Sequence, residues 1–190
     1  GGMGTLALVA IGGYLRPAVG YPPRASRASA PEMGAWREDK EAGAWQLGDV
    51  ARVLATEVRP SVVHPGELVY VTVVWEPLRR TDRPYNVYVH LIDEAGVLIA
   101  QRDSWPGLSR APTTAWRVGY PFVDVYRVEL LSTAYTPNEA RVRVGLYEPE
   151  YGRLPVYRQG QASGDGIEVG TVAVPPGDGQ WPNAQYTNFS

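Results

Sequence analysis

The sequence predicts an all-β protein: an antiparallel β-sandwich of immunoglobulin-like or jelly-roll-like kind, with seven to eight strands and an extended N-terminal segment. Three observations lead there. Apolar and polar residues alternate with a period close to 2 from His64 to Val156, Pro and Gly turns punctuate the alternating runs, and 190 residues suffice for one well-packed core with extensions. The chain divides into an apolar segment (1–16), a Pro/Ala/Ser-rich linker (17–44), the sandwich (45–176) and a tail (177–190).

Residues 5–11 form an apolar run followed by Gly12, Gly13, Tyr14, Leu15 and Arg16. A membrane-spanning helix needs about 20 apolar residues, so this run is too short to cross alone. It reads either as the end of a transmembrane helix with Tyr14 and Arg16 as interfacial anchors, or as a strand donated to the open sheet edge of a neighbouring subunit. In both cases Leu6, Leu8, Val9, Ile11 and Tyr14 make the contact. A signal-peptide remnant would require a basic stretch before the apolar one, which is missing, and a frayed terminus is the plainest alternative. Residues 17–31 then shift to Pro, Ala, Ser and Arg, with Pro22 and Pro23 adjacent, a composition that favours an extended tether. Residues 32–43 are polar and mixed in charge, compatible with a short helix or irregular chain.

From Trp45 onward seven runs read as strands: 49–58, 67–76, 85–93, 97–102, 124–130, 140–148 and 167–174. In the second, Val69, Val71, Val73 and Trp75 share one face and Tyr70, Thr72 and Val74 the other, the signature of a central, covered strand. In the third, Val87, Val89 and Leu91 oppose Asn86, Tyr88 and His90. In the sixth, Val142, Val144 and Leu146 oppose Arg141 and Arg143. These inward sets predict the core. Asp93-Glu94-Ala95-Gly96 reads as a tight hairpin connection and residues 149–152 as a second turn. The long segment 103–123, rich in Pro, Gly and Trp, reads as the crossover between sheets.

Composition narrows function by exclusion. The 18 basic and 20 acidic side chains nearly cancel, leaving no electrostatic footprint for nucleic acid. With no cysteine there is no disulfide framework and no thiolate chemistry. His64 and His90 are the only histidines, too few for a histidine-rich zinc site, and His90 alternates with core residues, where a hydrogen-bonded structural histidine is expected. No Gly-x-Ser-x-Gly is present, and no Asp-x-Asp-x-Asp spacing supports calcium on the loop from Asp103. The carboxylates Asp93, Glu94, Asp103 and Asp124 would need to face one another across a cleft, roughly 5–9.5 Å apart, to process a glycoside; turn capping is their commoner use. No catalytic residue, metal or cofactor is therefore expected.

The 12 Tyr and 6 Trp against 2 Phe point instead to aromatic faces with a polar handle. Trp105, Trp116, Tyr147 and Tyr151 lie in or beside the long loop and second turn, where flat rings could stack on sugars while Asp103 bonds the hydroxyls. The competing use has Trp116 plugging the end of the sandwich and Trp105 packing over a sheet edge. Asn188-Phe189-Ser190 matches a glycosylation acceptor pattern at the chain end.

Several stretches together carry a resemblance. His64-Pro65-Gly66-Glu67-Leu68, Val71-Thr72-Val73-Val74-Trp75, Tyr85 with Val87-Tyr88-Val89-His90-Leu91-Ile92-Asp93, Gly96 and Ala100-Gln101-Arg102-Asp103 lead, followed by Pro112-Thr113-Thr114-Ala115-Trp116, Gly119 and Asp124-Val125-Tyr126. Val144-Gly145-Leu146-Tyr147 and Gly152-Arg153-Leu154-Pro155-Val156 complete the set. It resembles the extracytoplasmic C-terminal β-sandwich module of bacterial polytopic membrane proteins similar to protein O-mannosyltransferase-type glycosyltransferases, over residues 45–174. Tyr14-Leu15-Arg16-Pro17-Ala18 with Tyr21-Pro22-Pro23 looks like the exit of a last transmembrane helix, and residues 183–190 resemble the lead-in to a further copy, as 43–49 do here. Thr136-Pro137-Asn138-Glu139-Ala140 and Tyr120-Pro121 depart from the usual pattern, which affects loop shape. The resemblance implies a non-catalytic accessory domain outside the cytoplasmic membrane, in the cell envelope or at the surface, presenting a glycan- or protein-binding face. Any catalytic acids of such transferases lie in membrane segments absent from this sequence. The alternative is a structural subunit of an extracellular filament or surface layer, assembled by donation of the N-terminal strand.

Overall fold

A computed structural model describes residues 9–11, 14–16 and 45–176. Leu6, Leu8, the linker, the tail and its Asn188-Phe189-Ser190 lie outside the described residues. The strands in chain order are β1 (Val9–Ile11), β2 (Tyr14–Arg16), β3 (Trp45–Leu47), β4 (Ala51–Arg59), β5 (Leu68–Pro77), β6 (Asn86–Ile92), β7 (Leu98–Ser104), β8 (Phe122–Glu129), β9 (Asn138–Glu148), β10 (Gly152–Arg153), β11 (Val156–Arg158), β12 (Gln161–Ala162) and β13 (Ile167–Val174). Among the described residues a four-residue helix, α1 (Pro106–Ser109), and a 3-10 turn (Thr113–Ala115) interrupt them, both between β7 and β8. Among the described residues no helix is long and apolar enough to cross a membrane.

Residues Val9, Ile11 and Tyr14, expected to contact membrane or a neighbour, fall in the antiparallel pair β1–β2. The body is two antiparallel sheets. One has six strands in the order β12-β11-β3-β4-β5-β8; the other has the path β10-β9-β6-β7, with β13 as its fifth strand, paired to β9. The expectation of seven to eight strands is therefore corrected to eleven. All seven anticipated runs form strands, and the additions, β3, β10, β11 and β12, are only two or three residues long, too short to express a period of 2.

The alternation of β5 explains its position. It pairs with β4 on one side and β8 on the other, burying Val69, Val71, Val73 and Trp75 on the core face and Val74 on the other. Val87, Val89 and Leu91 of β6 and Val142, Val144 and Leu146 of β9 have no exposed surface and join the same core from the opposite sheet. Each such side chain contributes about 1.5–3 kcal/mol by leaving water. Turn chemistry fixes the ends. Asp93 Oδ1 accepts the Val97 N–H at 2.8 Å, and Gly96 adopts φ 82°, the left-handed conformation that closes the β6–β7 hairpin.

The segment after β7 crosses from the five-stranded to the six-stranded sheet, as its composition suggests. Its path is pinned from below: buried Asp124 on β8 accepts the Gly107 N–H at 2.6 Å, holding α1 against the strand. Trp116 then turns inward, its indole N–H donating to the Ala111 carbonyl at 3.0 Å, with Phe122 edge-on at 5.0 Å and Trp75 at 6.0 Å. It closes the end of the core.

Candidate functional site

Strand alternation gives the five-stranded sheet an outward face, and register decides which side chains meet there. Asp103 on β7 pairs with Tyr88 on β6, and Tyr88 with Gly145 on β9; one step along, Gln101, His90 and Arg143 form the next row. Tyr88 lies across this face instead of projecting from it. Gly145 and Gly166 leave the space its ring occupies, since a Cβ on either would overlap Tyr88. Its hydroxyl donates to the Asp165 carbonyl at 2.6 Å, and the Arg153 guanidinium covers the ring at 4.4 Å. An outward-facing tyrosine is thereby almost fully buried.

A charged frame surrounds it. The Asp165 carboxylate accepts from Arg143 at 2.5 Å and from Arg153 at 3.2 Å. Partial burial works against ionisation of Asp165, but the two guanidiniums prevail and hold its carboxyl below the usual carboxylate range. Such a group stays ionised and cannot serve as a general acid near neutral pH. His90 packs against the Tyr88 ring at 4.8 Å, with Nε2 3.4 Å from Asp103 Oδ1. That contact is electrostatic, because Nε2 is buried and has no hydrogen-bond partner of good geometry. His90 is thus packed structurally on the Tyr88 ring, with Asp103 as its polar neighbour. Burial pushes His90 below its usual 6.5; Arg153 and Arg143 act in the same direction, and Asp103 opposes them. Tyr147, 6.4 Å from Tyr88, has its hydroxyl between Asp103 and Asn86, and burial, with Asp103 adding to it, raises its pKa.

Of the residues singled out from sequence, Asp103 and Tyr147 meet on this face. Tyr151 stands on the adjoining β9–β10 turn, 68% exposed, with the Arg83 guanidinium 4.0 Å from one face of its ring. Trp105, 42% exposed, follows Asp103 by two positions at the start of α1. Trp116, only 4% exposed, belongs to the core and has no face to offer a ligand. Sequence reasoning missed Tyr88, His90, Arg143, Arg153 and Asp165 as a group, although the outward alternation of Tyr88, His90 and Arg143 was its visible signal. Among the described residues no group of three or more His, Asp or Glu could hold a metal ion. No protein-family model matches the chain, and no curated protein matches it.

His90 makes stability depend on pH. Because its folded-state pKa lies below the unfolded value of 6.5, the unfolded chain takes up the proton first as pH falls. The contribution of neutral His90 is complete above pH 6.5 and erodes as pH falls toward the folded pKa, whereas that of Asp165 persists until pH drops below the ordinary carboxylate range. Between pH 7 and 5 the melting temperature of the wild type should therefore fall more than that of His90→Gln. Parallel curves for the two proteins would refute the assignment.

Proposed function

We propose that the chain is a non-catalytic, extracytoplasmic accessory domain of a membrane-anchored protein, presenting a binding face for glycan. The order β4-β5-β8 in one sheet against β7-β6-β9-β13 in the other supports the immunoglobulin-like reading over the jelly-roll-like one. It matches strands A-B-E facing C-F-G, with an extra strand beside C. The observation that carries the binding reading is the outward face of the five-stranded sheet. There a half-buried Tyr147 beside Asp103 and Asn86 adjoins the exposed ring of Tyr151, with fixed guanidiniums of Arg153 and Arg83 alongside. Rings supply stacking surface, and carboxylate, amide and guanidinium supply directional bonds to hydroxyls, the mixture a polar ligand requires.

The test is saturation-transfer NMR of the full chain against a panel of neutral oligosaccharides. Binding should be weakened about tenfold by Tyr151→Ala or Asp103→Asn, a loss of roughly 1.4 kcal/mol. Tyr147→Phe, which keeps the ring and removes the hydroxyl, should weaken it less. Saturation transfer that is absent for every glycan, or indifferent to all three substitutions, would overturn the proposal.

A further inference from the structure

The exposed apolar side chains are confined to the two poles of the sandwich. Val62, Val97, Leu98, Leu131 and Tyr135 are all at the pole where β5 begins and β13 ends; Trp105, Val118 and Tyr151 are at the pole where β5 ends and β6 begins. Among the described residues, Leu98 at the start of β7 is the one exposed large apolar side chain that lies within a strand. Monomeric proteins seldom concentrate apolar exposure in this way without a partner for it.

The poles also differ in charge. At the first, the connecting segments 60–67, 93–97 and 130–137 contain Glu67, Glu94 and the buried Asp93 and no lysine or arginine, while Arg59, which ends β4 there, is paired with Glu57. At the second, segments 48–50, 78–85, 105–121 and 149–151 contain five arginines, Arg79, Arg80, Arg83, Arg110 and Arg117, against Asp49, Asp82 and Glu150. One pole is apolar and acidic, the other aromatic and basic.

We propose that the acidic pole of this β-sandwich docks onto the basic pole of a second copy, a heterologous contact that propagates end to end. Leu131 and Tyr135 face Val118 and Trp105 across it, and Glu94 and Glu67 face the arginine-rich loops. Such an interface does not close on itself, so association extends into a row of sandwiches. It rests on the poles and does not require the ligand reading of the sheet face.

Sedimentation velocity of the full chain over a concentration series tests it. The mean mass should rise past that of a dimer, and raising salt from about 50 to about 500 mM should reduce it, because part of the attraction is screened. Leu131→Ser with Tyr135→Ser disables one pole, and Arg80→Ser with Val118→Ser the other. All four side chains are exposed, and an unchanged circular dichroism spectrum and melting temperature verify folding. Each double variant alone should be monomeric, and their equimolar mixture should stop at dimers, since only one intact pole of each kind remains. A wild-type protein that stays monomeric or stops at a dimer, single-pole variants that still polymerise, or a mixture that stays monomeric would each overturn the proposal.

Discussion

Replacing Asp124 with alanine is expected to lower the unfolding free energy by about 4 kcal/mol and the melting temperature by more than about 10 °C. Asp124 is completely buried, and its carboxylate is an acceptor for donors from three directions. Oδ2 takes the Gly107 N–H at 2.6 Å and the Tyr126 hydroxyl at 2.7 Å, and Oδ1 takes the Val125 N–H at 3.0 Å. Trp75 extends the chain by donating its indole N–H to the Tyr126 oxygen at 3.3 Å. Burying a carboxylate is unfavourable in isolation, and charge-assisted bonds offset that cost. Truncation reverses the balance, because each donor left unpaired in the core costs about 1–3 kcal/mol. The damage also reaches the crossover, since the Gly107 bond holds α1 and the segment leading to Trp116. Asp124→Asn keeps one acceptor but turns an amide N–H toward donors, and about half the loss is expected. Urea unfolding measures both, and a loss below about 1 kcal/mol for the alanine variant would show that the network is not what secures the crossover.

The legibility of the fold follows from strand length. Runs of seven residues or more, such as β5, β6 and β9, display the pleat in their own order of side chains, so their inward sets can be read directly from the amino-acid sequence. β13 has the bounds its alternation suggests. Where a strand is two or three residues long, pairing depends on its neighbour, as when β11 closes on β3 through Val156 opposite Leu47. Bulges are equally invisible in sequence. The register shifts between Val53 and Ala55, and again between Glu168 and Gly170, and each reverses the face assignments beyond it.

The candidate site is less legible because its members come from strands that are not consecutive. Alternation shows that Tyr88 and His90 point to one side of β6 and Arg143 to one side of β9. It does not show that these strands are neighbours, nor that β7 and β13 flank them. Arg153, in the two-residue β10, and Asp165, on the connection from β12 to β13, frame Tyr88 and sit outside any periodic run. Trp116 illustrates the same limit. An aromatic in a long crossover has the same sequence signature whether it faces water or the core, and only the route fixed by Asp124 decides between them.

Gly145 provides the sharpest test of that outward face. By propensity alone, Gly145→Ala should stabilise a strand interior by about 0.5–1 kcal/mol. The structure demands the opposite sign. A Cβ at this position would stand 2.5 Å from Cζ of Tyr88, well inside van der Waals contact, and the ring cannot retreat while Arg153 covers it and its hydroxyl is held by the Asp165 carbonyl. Gly166 borders the same side chain, since a Cβ there would overlap the Tyr88 hydroxyl. Gly145→Ala is therefore expected to cost about 3 kcal/mol, at the upper end for overpacking. If the clash is with Tyr88 and nothing else, the same substitution in a Tyr88→Val background should cost less than about 1 kcal/mol, giving a coupling of about 2 kcal/mol in a double-mutant cycle. Equal costs in the two backgrounds would place the strain elsewhere on β9. They would also remove the packing argument that makes Tyr88 the floor on which Arg153, His90 and Tyr147 are arranged.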